Sequence, residues 1–251
     1  AAAKRLAGIK QDVLFPGKTL FDQAEKLRAM KKFTEAAKIY QEVVSKFPDA
    51  LYACRSNYCL GLCAIGLDRP ADAVKIWEQF IASKPEGGFR AQAALGIIDT
   101  SLEEFVDIDK ADACGKKALA SLQTVAGSSP ISELDKQIKE SWQVASADLH
   151  LRFGLLALLK NDHLAASDAF GKARTAAVAN KLNTMLAGLD VLIEAAKEKQ
   201  PLLPADVAGS TTIGRLPGKT PLALSMVRIF DLTGRRPKAE TFLDDVLAGK
   251  W

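Results

Sequence analysis

Along residues 54–83 the apolar and small side chains return at helical spacing in two blocks, Asn57-Leu60-Gly61-Ala64 and Ala73-Ile76-Trp77-Phe80, separated by Leu67-Asp68-Arg69-Pro70. That spacing puts each block on one helix face and predicts a helix, a tight turn and a second helix, which Pro85 then stops. Gly61 interrupts the first block, where glycine costs about 1 kcal/mol relative to alanine. Its place is expected to be a close approach of the second helix.

The same template fits elsewhere. From Gly17 it is met by Leu20, Ala24 and Leu27, then by Phe33, Ala36, Tyr40 and Val43, with Pro48 as the stop. A weaker copy starts near Phe89 with Leu95-Gly96, Ile108, Ala111 and Ala118, but has Gly115 where an aromatic is expected. Gly127-Ser128-Ser129-Pro130 breaks the pattern, and Ser132 with Asp135 three residues on signals a new helix start. Residues 133–160 read as one long helix or two joined end to end, carrying Phe153-Gly154 and Ala157. After a turn at Asn161-Asp162 come Ala166, Phe170 and Ala173, then a further helix from about residue 178 to 199, ended by Pro201 and Pro204. Residues 2–13 predict a short leading helix that ends before Phe15-Pro16-Gly17. Residues 200–219, rich in Pro, Gly, Ser and Thr, predict an irregular connection, and residues 221–232 and 236–248 a last helix pair.

Leu60-Gly61, Ala73, Trp77, Phe80 and Pro85 occupy the seventh, eighth, twentieth, twenty-fourth, twenty-seventh and thirty-second positions of a tetratricopeptide repeat, and the chain resembles that family. Ala64, where the family has an aromatic, and Asn57, where it has a bulky residue, depart from its pattern. The resemblance implies an all-α fold, a right-handed superhelical array of antiparallel helix pairs. It would comprise an N-terminal helix in 1–16, three repeats in 17–123, further repeats in 131–199, the connection 200–219 and a capping pair in 220–251. The first two repeats are spaced about three residues wider than the family's usual period of about 34, which places an extra turn at residues 49–53.

Composition narrows the picture. A hydrophobic share of 48% over 251 residues supplies ample core, while aromatics at 7% and the lack of sustained strand-type alternation support an all-α chain. The net charge of +4 is spread among mixed charges, as on solvated helix faces, without the basic stripe of a nucleic-acid binder. Apolar runs such as 153–159 fall far short of the about 20 residues needed to span a bilayer. The four cysteines form no CxxC pair, and Cys59 and Cys63, though on one face, are poorly placed for a disulfide in a helix. They read as buried small hydrophobes in a reducing compartment, which favours the cytoplasm. Ala1-Ala2-Ala3 leaves open a processed end and an export signal already removed.

Little points to chemistry. Gly218-Lys219-Thr220 has the triplet of a phosphate loop, but Gly214 stands one residue too close, no strand leads in and Pro221 follows; like Pro16-Gly17-Lys18-Thr19 it reads as a turn that launches a helix. Adjacent carboxylates such as Glu103-Glu104 point in different directions on a helix. His150 and His163 have no nucleophile or ligand set beside them in sequence, so no catalytic residue, cofactor or metal is expected.

What the resemblance implies is a surface. In the family, first helices line a concave groove through their second, fifth, sixth, ninth and twelfth positions. Carried over, these are Lys18, Phe21, Asp22, Glu25 and Arg28; Arg55, Tyr58, Cys59, Leu62 and Ile65; Arg90, Ala93 and Ile97; and Leu151, Arg152 and Leu155. Phe21, Glu25, Arg55, Tyr58, Leu62, Arg90, Ile97 and Arg152 are the expected partner contacts, giving an apolar floor with arginines at its edges. Phe21 and Glu25 stand where the family's carboxylate clamp has lysine and asparagine, so recognition of chaperone C-termini is not expected. The resulting expectation is a non-catalytic module that binds a protein or peptide. The alternative is a structural, self-associating scaffold; a concentration-dependent oligomer in light scattering would separate the two.

Overall fold

The structure, a computed structural model, describes residues 15–83, 87–104, 107–160 and 162–197. All regular structure among them is helical: α1 (Lys18–Ala29), α2 (Phe33–Lys46), α3 (Leu51–Gly66), α4 (Pro70–Ser83), α5 (Arg90–Glu103), α6 (Ile108–Gly127), α7 (Glu133–Leu159), α8 (His163–Ala179), a 3-10 turn at Asn183–Met185, and α9 (Leu186–Lys197). The expected helices at 2–13 and 221–248, the connection 200–219, Pro85 and the Gly218-Lys219-Thr220 triplet lie outside the described residues. No helix among those described is long and apolar enough to cross a membrane.

The chain divides into two compact units, Ala1–Ile97 with Ser121–Trp142, and Ile98–Ala120 with Gln143–Trp251. In the first, α1 packs on α2, α2 on α3 and α3 on α4, and the two first helices α1 and α3 also touch. The core there is Phe21, Ala24, Ala36, Tyr40, Val43, Cys59 and Cys63; Phe21 and Cys59, expected to line the groove, are instead buried in this core, because the Phe21 ring and the Cys59 thiol face the neighbouring helices. The three additional residues between the first two repeats, Leu51 to Ala53, form an extra turn at the start of α3.

Gly61 does what its position foretold. A Cβ there would overlap the Trp77 indole, and one on Gly96 would come within 2.7 Å of the same ring. Trp77 is 2% exposed, and its Nε1 donates to the Tyr58 carbonyl at 3.0 Å. The second unit repeats the device: a Cβ on Gly154 would overlap the Phe170 ring, at the same sequence separation as Gly61 from Trp77. Its core joins Leu151, Leu155, Phe170 and Ala173 to Met185, Leu189 and Leu192.

The helix ends follow a common rule. After α1, α3 and α8 a left-handed residue, Lys31 (φ 59°), Asp68 (φ 60°) or Lys181 (φ 57°), reverses the chain. The next amide bonds back to the third-last carbonyl of the helix: Lys32 to Leu27, Arg69 to Ala64, Leu182 to Ala177. This is the Schellman closure, made here without glycine. At the other end of a helix, Ser132 and Asp135 form the expected capping box: the Asp135 amide donates to Ser132 Oγ (3.1 Å) and the Ser132 amide to Asp135 Oδ2 (3.0 Å). Residues 133–159 are a single helix. The helix expected over 178–199 starts later than the pattern suggested, at Leu186 rather than near Val178, because α8 continues to Ala179 and the Lys181 turn intervenes.

Candidate functional site

Helical spacing places Arg55, Tyr58 and Leu62 on one face of α3, and all three are half-buried. The Arg55 guanidinium lies 4.6 Å from the Phe21 ring centroid and 5.5 Å from those of Tyr52 and Phe89. Phe21 itself is buried, its ring 5.6 Å from Tyr40 and 5.2 Å from Tyr52. The positive group thus rests on the electron-rich faces of three side chains from three segments. No carboxylate among the described residues pairs with it. The Tyr58 ring stacks on Trp77 at 6.1 Å.

The other charges of this face cancel in pairs. Lys18 Nζ meets Asp22 at 2.5 Å. Glu25 accepts from Arg28 Nε (3.0 Å) and Nη2 (2.8 Å), from the Tyr40 hydroxyl and from Cys59 Sγ (3.6 Å). The Arg28 hydrogen bonds first, with Tyr40 and Cys59 adding and burial opposing, hold the Glu25 carboxyl below its ordinary range. A carboxyl depressed in the folded state contributes stability above its unfolded value and loses it as pH falls through the folded one. In Glu25→Gln the acid limb of the stability profile, from about pH 4.3 downward, is therefore expected to be shallower than in the wild type. Urea titrations at stepped pH would read this, and two superimposable acid limbs would refute it.

Three other expected contacts sit differently. Ile97 is 2% exposed and Arg90 6%, and Arg152, in the second unit, is 5% exposed. The Arg90 guanidinium lies 3.9 Å from the Phe80 ring centroid and donates to the Gly88 carbonyl (3.1 Å), Ser83 Oγ (3.1 Å) and Cys54 Sγ (3.2 Å). Arg152 donates through Nε and Nη2 to Asp99 (3.1 and 3.4 Å) and through Nη1 to Asp148 (3.1 Å). Both arginines were expected to present their charge at a groove edge; here internal acceptors occupy them. Sequence reasoning missed Tyr52 and Phe89 as ring partners of Arg55. For Tyr52 the signal was its place one helical turn before Arg55.

The remaining candidates carry no constellation. His150 is half-buried, and burial, then Lys172, push it below the usual histidine range. His163 opens α8. No group of three or more His, Cys, Asp or Glu among the described residues is placed to hold a metal ion. None of the four cysteines is in a disulfide.

Residues 18–50, which make α1, α2 and the turn that follows, match the family model of the tetratricopeptide repeat. No curated protein matches the chain.

Proposed function

We propose that the protein is a non-catalytic interaction module. In this reading α1 and α3 hold an extended segment of a partner protein, with its apolar side chains against Tyr58 and Leu62 and a carboxylate on Arg55. The tetratricopeptide match over 18–50 supports a role in protein interaction. The observation that carries the finer reading is the Arg55 guanidinium, set on three rings while its charged neighbours are already paired. Such a group keeps its N–H fork for an incoming acceptor, and arginine and tyrosine commonly dominate interface energetics.

The test is fluorescence anisotropy with two labelled peptides of equal length, one alternating leucine and glutamate, the other leucine and lysine. The acidic peptide should bind and the basic one should not. Arg55→Glu with Tyr58→Ala should weaken binding at least about tenfold, or about 1.4 kcal/mol, with helical content kept. Equal binding of both peptides, or an unaffected double variant, would defeat the proposal.

A further inference from the structure

A guanidinium as deeply buried as that of Arg90 ordinarily has a carboxylate beside it. Among the described residues its acceptors are neutral, the Gly88 carbonyl, the Ser83 hydroxyl and the Cys54 thiol, and its Nε has none. The site is closed around it: Phe80 covers the group at 3.9 Å, and Gly87 packs so near that a Cβ would come within 2.7 Å of Nη1. Of the three acceptors only Cys54 Sγ is a soft nucleophile, and Cys54 is half-buried rather than enclosed in the core.

The other thiols lie in different surroundings. Burial, reinforced by Glu25, pushes Cys59 up to about 12, and burial pushes Cys63 up to about 11. Both are enclosed in the core; beside burial, Glu25 is the larger charged influence on Cys59, and Arg28 on Cys63. Cys114 is half-buried like Cys54 and serves as the comparison of like exposure.

We propose that Cys54 is an oxidation-sensitive modification site, converted by a hydroperoxide to the sulfenic acid, with the Arg90 guanidinium beside the thiolate that attacks. In the step, Sγ attacks the terminal peroxide oxygen and the S–O bond forms as the O–O bond breaks. The sulfur is oxidised, the peroxide is reduced to an alcohol or, from hydrogen peroxide, to water, and the thiol proton passes to the leaving oxygen.

The experiment treats the native protein with iodoacetamide and, separately, with hydrogen peroxide followed by dimedone, and locates adducts by peptide mass spectrometry. Cys54 should alkylate at least about tenfold faster than Cys114, Cys59 and Cys63 should stay unlabelled until the protein unfolds, and dimedone should appear on Cys54. Alkylation of Cys54 no faster than Cys114, or dimedone on another cysteine, overturns the proposal. Arg90→Met should bring the Cys54 rate down to that of Cys114, and Arg90→Lys should keep most of the difference. A folded Arg90→Met protein with an unchanged Cys54 rate also overturns it, and if that variant does not melt cooperatively the wild-type ranking alone decides.

Discussion

Trp77→Ala is expected to lower the free energy of unfolding by roughly 3 to 5 kcal/mol, the range for deleting a large buried aromatic side chain. The indole sits against two glycines, Gly61 on α3 and Gly96 on α5, and stacks on Tyr58. Neither glycine has a side chain with which to fill the space, so a cavity would persist. The Tyr58 carbonyl would also lose the Nε1 donor. Trp77→Phe should cost less, because it keeps most of the packing and gives up the hydrogen bond. Urea unfolding followed by far-ultraviolet circular dichroism measures both. A cost below about 1 kcal/mol for the alanine variant would mean that the α3–α4 packing is not what holds this unit.

The second large effect is expected at Asp99. Its carboxylate takes two hydrogen bonds from Arg152 in a buried place, where burial pushes it up to about 6 even against the guanidinium. For Arg152 burial opposes the charge, and Asp99 and Asp148 more than offset it. Asp99→Ala takes two hydrogen bonds and a carboxylate away from that cation and should cost about 3 kcal/mol, the lower end of the range for breaking a buried pair. Removing both charges, in Asp99→Leu with Arg152→Met, should recover most of the loss, since the ionic pair repays its own desolvation poorly. A double-mutant cycle by urea unfolding reads this directly. A single variant within about 1 kcal/mol of wild type, or a double variant as weak as the single, would show that the pair does not act as described.

What could be read from the sequence was what neighbouring residues decide. Gly61 and Trp77, Gly154 and Phe170, and the Ser132–Asp135 box are short-range relations written in helical spacing, and the tight turns at 30–32 and 67–69 fall where the apolar blocks stop. The end of α8 was harder to read: its closure uses Lys181 in the left-handed region, and no glycine marks it. The candidate site divides in the same way. The shared face of Arg55, Tyr58 and Leu62 follows from spacing. The burial of Arg90 and Arg152 does not, because Cys54 and Asp99, which receive their N–H groups, come from other helices far away in sequence. Periodicity assigns a residue to a side of its helix; it says nothing about what stands opposite.

The packing of residues 18–83, each helix on its sequence neighbour, also shapes how this region assembles and comes apart in time. Joining α1 to α2, α2 to α3 and α3 to α4 closes only short loops, so chain entropy is given up in small steps, and such low contact order favours rapid folding. The same linear arrangement lets opening progress pair by pair. Amide hydrogens of α3, which is flanked in sequence by α2 and α4 and carries the glycine that receives Trp77, should therefore be among the slowest of this region to exchange.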